Sequence, residues 1–191
     1  LSELTDLVVD LRHPNEECEL PDRIPEDAEL AVSELTEADE AYASSQRVAQ
    51  TKAEGKNHPI VVVDGHAYVG IITIPSLELE LPVLSEWSYP NLRIAPCRLC
   101  GSAYSRNLVL LAHNYSTHFG QIKTLEPGEN VLFTDMAGTV FVYTVDVQEV
   151  VSPTAIKDVT SGEWDLTLIT CTIGGRTRVV VRCDLEKIVE T

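Results

Sequence analysis

The stretch Leu166-Thr-Leu-Ile-Thr-Cys171, followed by Gly174-Gly175 and by Arg178-Val-Val-Val-Arg182, decides the fold class of this chain. Two apolar runs separated by a glycine-containing turn predict two neighbouring strands that pair as a β-hairpin. Such a hairpin brings Cys171, at the end of the first strand, close to Arg178, at the start of the second. The sequence therefore predicts a thiol and a guanidinium group together at one end of a β-sheet.

The arginines of the second strand differ in what we expect of them. Alternation of side chains along a strand places Arg178 and Arg182 on the same face. Burying an arginine without a partner is costly, so each one either points into solvent or serves an anion. We expect Arg176 and Arg182 to be exposed. Arg178, beside Cys171, could lower the pKa of the thiol or donate hydrogen bonds to an oxyanion.

Further strand patterns fill the rest of the chain after Pro59. They cover Ile60–Val63, Tyr68–Ile74, Leu77–Leu81, Leu108–Ala112, Asn130–Thr134 and Thr139–Val151. The pair Asp64-Gly65 between the first two is a hairpin signal. Many short strands with turn signals between them indicate a closed barrel or a sandwich, so the fold class is mostly β.

The first 56 residues differ from the rest in composition, because acidic residues dominate and long apolar runs are missing. Within them, residues 29–53 have apolar side chains at helical spacing and predict a helix. We therefore divide the chain into a partly helical acidic appendage, residues 1–56, and a β domain, residues 57–191.

Composition excludes some classes of function. The formal net charge of −16 argues against nucleic-acid binding, which needs clustered Lys and Arg. No stretch approaches the roughly 18–20 apolar residues that span a bilayer. The five cysteines leave at least one thiol unpaired within the chain, so a reactive thiol is worth seeking.

A histidine follows another apolar run in the same way that Cys171 follows its strand. His113 comes directly after Leu108–Ala112, and a histidine so placed can serve as general acid and base. His118 is a rival for this role. From the strand alone, Cys171 is more often a small buried hydrophobe than a nucleophile.

Together, these segments resemble the sortases, a family of cysteine transpeptidases. The matching pieces are Gly70–Leu77, Leu81–Leu84, Leu111–Tyr115, Phe119-Gly120, Leu125–Glu129, Val131–Asp135, Leu166–Cys171 and Arg178–Val181. The Thr-Leu-x-Thr-Cys run followed by an arginine before an apolar strand is the most specific of them. No Asp-Pro-aromatic lid motif precedes the barrel, which favours a class B-like or unassigned member over a lidded class C enzyme.

The resemblance implies a closed eight-stranded β-barrel with short helices, beside an N-terminal helical segment. It implies that Cys171 is the nucleophile, His113 the general acid and base, and Arg178 the electrostatic partner. We also predict that Thr170 and Asn114, which adjoin Cys171 and His113, bind substrate.

The reaction implied is cleavage of a C-terminal sorting signal of the Leu-Pro-x-Thr-Gly kind through a thioacyl-enzyme. The acyl group then passes to an amine of cell-wall precursor or of a pilin. The expected partners are surface proteins or pilins that carry the signal, and the peptidoglycan precursor. The resemblance places a monomeric enzyme, without nucleic acid, at the extracellular face of a Gram-positive cell membrane, with its anchor outside these 191 residues. It implies no metal or organic cofactor, and leaves calcium activation open.

Cys97 and Cys100 have Cys-x-x-Cys spacing, which without a second ligand pair is a weak zinc signal. We expect loop thiols there, with a disulfide or metal role as the alternative. The pairing of Cys18 and Cys183 cannot be read from the sequence.

Two other functions fit parts of the pattern. An L,D-transpeptidase also combines cysteine and histidine on a β-rich fold, but its cysteine usually lies in a Ser-His-Gly-Cys context, whereas Ile169-Thr170 precedes Cys171 here. A non-catalytic extracellular β-barrel binding module would use Cys171 as a core residue.

Overall fold

The computed structural model of the protein describes residues 58–152, 155, 159–160, 163–172 and 175–190. The helix predicted for residues 29–53 lies outside the described residues, and so does the whole of the predicted appendage, residues 1–56. The boundary at residue 56 stays a prediction. Within the described ranges, no helix has the length and apolar character needed to cross a membrane.

The described residues form nine strands and three short helical segments. The strands are β1 (Val61–Val63), β2 (His66–Ile74), β3 (Leu79–Leu84), β4 (Cys97–Cys100), β5 (Leu108–Leu111), β6 (Asn130–Asp135), β7 (Val140–Val151), β8 (Leu166–Cys171) and β9 (Arg178–Val189). Helix α1 spans Tyr89–Leu92, and 3₁₀ turns span Pro75–Leu77 and Ile122–Thr124. The mostly β fold class is confirmed.

Eight of the strands close on themselves, in the order β2-β3-β4-β5-β8-β9-β7-β6, because β6 also pairs with β2. Strand β1 is added at the edge of β2. The predicted eight-stranded closed sheet is therefore confirmed, with β1 as an extra strand outside the ring.

The closure between β2 and β6 depends on a glycine. Gly70 is paired with Asp135, and a Cβ atom on Gly70 would lie 2.4 Å from the Thr134 carbonyl oxygen and 2.5 Å from a Phe133 ring carbon. No side chain fits in that space, so glycine lets the two strands approach closely enough to pair.

The first hairpin agrees with its sequence signal, and the strand after it does not. Asp64 and Gly65 both have positive φ, 49° and 81°, as a tight two-residue turn between β1 and β2 requires. The strand predicted for Leu77–Leu81 begins only at Leu79. Pro75 starts a 3₁₀ turn instead, which is closed by the Glu78 amide on the Pro75 carbonyl at 3.1 Å.

Two hydrophobic clusters lie on opposite faces of the sheet. The inner cluster fills the ring and includes Leu108, Leu110, Leu166, Leu168, Val179, Val181 and Cys183. The outer cluster consists of Leu84, Leu92, Ala95, Cys97, Val109, Leu111, Val159, Ile169 and Val180. Alternate residues of β5, β8 and β9 thus belong to different clusters, which confirms the alternation predicted for β9.

The predicted exposure of Arg182 is wrong, whereas Arg176 is exposed as expected. Arg182 is 6% exposed, and its guanidinium contacts the Glu149 carboxylate at 2.9 and 3.0 Å. It also donates to the Val159 carbonyl at 2.9 Å. Both partners are distant in sequence, so the strand pattern alone did not reveal that this arginine could be buried with its charge satisfied.

The Cys-x-x-Cys segment forms strand β4 rather than a loop. Cys97 is a fully buried free thiol whose sulfur contacts the Ala95 carbonyl at 3.4 Å, and burial raises its pKa to about 12. Cys100 is disulfide-bonded, and since Cys97, Cys171 and Cys183 are free, its partner lies outside the described residues. The expectation of two loop thiols is therefore wrong.

A buried histidine lies three residues before the start of β1. His58 is 5% exposed, its ring lies 5.1 Å from Phe133 and 5.3 Å from Tyr104, and its Nε2 accepts a hydrogen bond from the Ala103 amide at 3.0 Å. Burial, and secondarily the charge of Arg98, lowers the pKa of His58 to about 4. The imidazole is therefore neutral in the folded protein at neutral pH.

We predict that His58 makes the protein acid-sensitive. Its pKa in the folded state, about 4, lies below the 6.5 of an unfolded chain, so the unfolded state binds the proton first. Stability is complete above pH 6.5 and is lost as the pH falls toward 4. Between pH 7 and pH 5 the loss in unfolding free energy from this residue should be about 2 kcal/mol.

Urea unfolding of the parent protein and of His58→Gln at both pH values measures this contribution. The variant should lose less stability on acidification than the parent, whereas His66→Gln, at the half-buried start of β2, should behave like the parent. Equal pH dependence in parent and His58→Gln would contradict the assignment.

Candidate active site

Strands β5 and β8 run parallel, and His113, just after β5, and Cys171, the last residue of β8, lie at the same edge of the sheet. The pairing begins at Leu108 with Leu166 and continues to Leu111 with Ile169. His113 comes two residues after Leu111, and Cys171 comes two residues after Ile169. The parallel register therefore delivers the histidine and the cysteine to the same level.

Hydrogen bonds extend this pairing beyond β5 to Ala112, the residue that precedes His113. The Ala112 amide donates to the Ile169 carbonyl at 3.1 Å. The Thr170 hydroxyl donates to the Ala112 carbonyl at 2.9 Å. Both peptide groups of Ala112 are thus fixed to the two residues that precede Cys171.

A third contact holds the far side of His113. The side-chain Nδ2 of Asn114 donates to the Thr172 carbonyl at 3.3 Å. Thr172 is itself held in the β8–β9 turn, because its amide donates to the Thr177 carbonyl at 3.0 Å. The residues on both sides of His113 are therefore bonded to residues on both sides of Cys171, which brings the two predicted groups together.

Arg178 lies directly across the β8–β9 ladder from Cys171. Its side chain is only 2% exposed, and its Nη1 donates to the carbonyl oxygens of Gly175 at 2.7 Å and Thr177 at 3.0 Å. The guanidinium is thus held against its own turn rather than extended into solvent. The structure brings the three predicted residues to one end of the closed sheet.

The two predicted substrate-binding residues differ in their surroundings. Thr170 is 2% exposed and its hydroxyl is engaged with Ala112, which favours a positioning role over direct contact with substrate. Asn114 is only half-buried. Its contact with substrate stays a prediction.

Burial favours the neutral forms of both reactive groups. It raises the pKa of the Cys171 thiol, and the positive charge of Arg178 opposes this only in part. It also lowers the pKa of His113, and the charge of Arg93 and of His118 in its protonated form acts in the same direction. At neutral pH the resting site therefore holds a thiol and a neutral imidazole.

His118, the rival histidine, is 8% exposed, and among the described hydrogen bonds it is the residues beside His113, not those beside His118, that join the segment around Cys171. It packs instead against Tyr115 at 5.4 Å between ring centroids. The geometry favours His113 as the reacting histidine.

Sequence reasoning assigned no role to two residues near His113. Arg93 ends helix α1 and acts on His113 through its charge. Tyr115 stacks on His113. The sequence placed Tyr115 two residues after His113, which indicates proximity, whereas nothing in the sequence linked Arg93 to His113.

No group of three or more His, Cys, Asp or Glu side chains suited to a metal ion occurs among the residues that the structure describes. Cys100 cannot act as a thiolate ligand while it is disulfide-bonded. The sequence-based expectation that no metal or cofactor is required stays a prediction.

We predict that Thr170→Val destabilises the protein, although it changes the side-chain shape little. The substitution leaves the Ala112 carbonyl without its donor, which costs about 1–3 kcal/mol of unfolding free energy. Urea unfolding measures the loss. The matched control is Thr134→Val on β6, where the side chain is half-exposed, and it should cost less than about 0.5 kcal/mol. Equal stability of Thr170→Val and the parent would show that the hydrogen bond from Thr170 to the Ala112 carbonyl does not stabilise the fold.

Comparisons with known proteins agree with this geometry. A family model described as the Sortase domain matches residues 72–186. None of the curated proteins compared with the chain matches it in sequence.

Three solved structures illustrate the likeness. Sortase A of Listeria monocytogenes is 25% identical with a TM-score of 0.58, over 65% of this chain and 90% of that one. Sortase C1 of Streptococcus agalactiae is 22% identical with a TM-score of 0.59, and the match covers 75% of this chain and 77% of that one. Sortase E1 of Streptomyces coelicolor, solved with a tripeptide in its active site, is 20% identical with a TM-score of 0.58. The match covers 63% of this chain and 89% of that one.

These relatives carry the names of three sortase classes, so the class of this chain stays open. The family match covers more than half of the sequence, from β2 into β9, and includes all three residues of the candidate site. Sortases are cysteine transpeptidases of the cell wall that act outside the cell. The chain belongs to the sortase family.

Proposed function

We propose that this sortase cleaves an LPxTG-like sorting signal with Cys171 as the nucleophile, His113 as general acid and base, and Arg178 as the stabiliser of negative charge. The observation that carries the proposal is the hydrogen bonding around His113. Ala112 and Asn114 are joined to residues that flank Cys171, and Arg178 is the cross-strand partner of that cysteine.

The first half-reaction starts from the neutral pair. Cys171 passes its thiol proton to His113, and the thiolate attacks the carbonyl carbon of the scissile peptide bond. The Arg178 charge, which already opposes the rise in the pKa of Cys171, stabilises the thiolate and the oxyanion. His113 then protonates the departing amine as the C–N bond breaks, leaving a thioester on Cys171.

The second half-reaction reverses the proton transfer. An acceptor amine attacks the thioester carbonyl and His113 takes its proton. The C–S bond breaks, and the Cys171 thiolate recovers a proton from His113. The acceptor is an amine of peptidoglycan precursor or a pilin lysine, and an acyl group passed between two substrates gives ping-pong kinetics. None of these steps requires a metal or an organic cofactor, and assays with calcium and with EDTA test activation by the ion.

We further propose that the enzyme acts as a monomer at the extracellular face of a Gram-positive membrane. Its partners there would be surface proteins or pilins that carry the signal. The disulfide at Cys100 supports this location, because disulfides persist in oxidising environments outside the cytoplasm.

The experiment that tests the function is transfer of a fluorogenic sorting-signal peptide to an added amine. Cys171→Ala should abolish transfer, and His113→Gln should lower kcat by about 10²–10⁴-fold. Arg178→Lys keeps the charge but loses the planar fork, and should lower kcat/KM at least about tenfold. The matched control is Arg176→Lys in the same turn, where the side chain is exposed, and it should match the parent.

Other outcomes distinguish the alternatives. Transfer by Cys171→Ala equal to that of the parent across a peptide panel would overturn the catalytic assignment, and binding without turnover would support a binding module. Covalent labelling of Cys171 by a carbapenem would favour an L,D-transpeptidase-like activity.

We predict a broad pH plateau in kcat/KM. The reaction starts from a Cys171–His113 pair that holds one titratable proton, on the thiol. The free enzyme is in this state when the pH lies above the pKa of His113 and below the pKa of Cys171. The pKa of His113 lies below its ordinary 6.5 and that of Cys171 above its ordinary 9.0. The rate should therefore be level at least from about pH 7.5 to about pH 8, one unit inside those two ordinary values, and should fall at more acidic and more alkaline pH. A steep change between pH 7 and pH 8.5 would contradict the neutral resting pair.

A further inference from the structure

Tyr115 is a large aromatic side chain that the hydrophobic clusters do not account for. It is 48% exposed and lies in the loop between β5 and the 3₁₀ turn at Ile122–Thr124. Its ring stacks on the His113 imidazole, with 4.8 Å between centroids and 26° between planes. The ring therefore covers one face of the proposed general acid and base.

The backbone of the loop fixes this stacking. The amides of His118 and Gly120 both donate to the Tyr115 carbonyl at 3.0 Å. The Phe119 amide donates to the His113 carbonyl at 3.1 Å, and the Phe119 side chain is fully buried in the inner cluster. The carbonyl groups of His113 and Tyr115 are thus both hydrogen-bonded to the same short segment, residues 118–120.

Glycine is required for the loop to close in this way. A Cβ atom on Gly120 would lie 2.4 Å from the Asn114 carbonyl oxygen and 2.7 Å from that of Tyr115. The turn that positions the Tyr115 ring can therefore form only where Gly120 lets the backbone approach.

The surroundings of His113 otherwise oppose its protonation. The groups that lower its pKa are His118 in the same loop and Arg93 at the end of α1, and the other titratable or charged groups at this edge of the sheet are Cys171 on β8 and Arg178 on β9. The reaction nevertheless needs an imidazolium, because the departing amine takes its proton from His113. An aromatic face attracts a cation placed over it, so Tyr115 acts against the burial and the positive charges.

We propose that Tyr115 is a positioning residue for His113, whose ring fixes the plane of the imidazole and stabilises its protonated form. Its importance for catalysis depends on the proposed function, whereas its effect on the proton affinity of His113 does not. The tyrosine hydroxyl has no part in this role, so phenylalanine should replace tyrosine.

The direct test is an NMR titration of the histidine side chains in the parent, Tyr115→Phe and Tyr115→Leu. Loss of the ring should lower the pKa of His113 by about half a unit in Tyr115→Leu. Tyr115→Phe should stay within about 0.2 of a unit of the parent. An unchanged pKa in Tyr115→Leu, or an equal fall in both variants, would overturn the proposal.

The same spectra report whether each variant is folded. His58 lies in a separate cluster with Phe133 and Tyr104, and its pKa of about 4 is a property of the folded protein alone. If Tyr115→Leu does not retain this value, Tyr115→Met provides the comparison, with the same expected fall for His113.

Enzyme kinetics separate this proposal from the proposed function. In Tyr115→Leu the acid limb of kcat/KM should move with the pKa of His113, and the rate on the plateau should fall several-fold, while Tyr115→Phe follows the parent. If the parent transfers no peptide but the NMR shift occurs, the proposed function fails and the positioning role stands. If transfer occurs but the acid limb is unchanged in Tyr115→Leu, the positioning role fails.

Discussion

The parallel pairing of β5 with β8 is the constraint on which the candidate site depends. In a parallel pair the carboxyl ends of both strands meet at the same edge, and here the register runs from Leu108–Leu166 to Leu111–Ile169. That register fixes where His113 and Cys171 emerge. The β8–β9 hairpin then supplies Arg178 opposite the cysteine. A shift of one residue in the β5–β8 register would turn one reactive side chain toward the inner core, so the packing of both faces protects the geometry of the site.

The site combines partial burial with positive charge in a chain whose net charge is −16. Burial keeps Cys171 and His113 neutral at rest, while Arg178 favours the thiolate and the stacked ring of Tyr115 would favour the imidazolium. In this account the ion pair forms only by a proton transfer within the site. The protein therefore does not maintain a permanently charged nucleophile in a half-buried position, which would cost stability.

Local patterns were enough to predict most of the strands, whereas the choice of Cys171, His113 and Arg178 came from the resemblance of the ordered segments to sortases. The apolar runs that end at Cys171 and before His113 are rich in residues that favour strands. The Asp64-Gly65 pair between β1 and β2 is a strong signal for a two-residue hairpin turn. Features that depend on distant partners were missed. Arg182 can be buried because its guanidinium donates hydrogen bonds to the Glu149 carboxylate and the Val159 carbonyl. The Cys97 thiol is buried because β4 lies between β3 and β5. The role of Tyr115 could not be read either, because stacking depends on how the loop after His113 closes at Gly120.

Mass spectrometry of the protein after incubation with a library of sorting-signal peptides, followed by mapping of the modified fragment, shows directly whether Cys171 carries the acyl group. We expect a thioester adduct on the fragment that carries Cys171, with a mass that corresponds to the peptide cleaved within its signal. We also expect that His113→Gln accumulates this adduct more slowly, and that the buried thiols Cys97 and Cys183 stay unmodified. An adduct on another cysteine, or a Cys171 left unmodified by peptides that the protein cleaves, would contradict the assignment of Cys171 as the nucleophile.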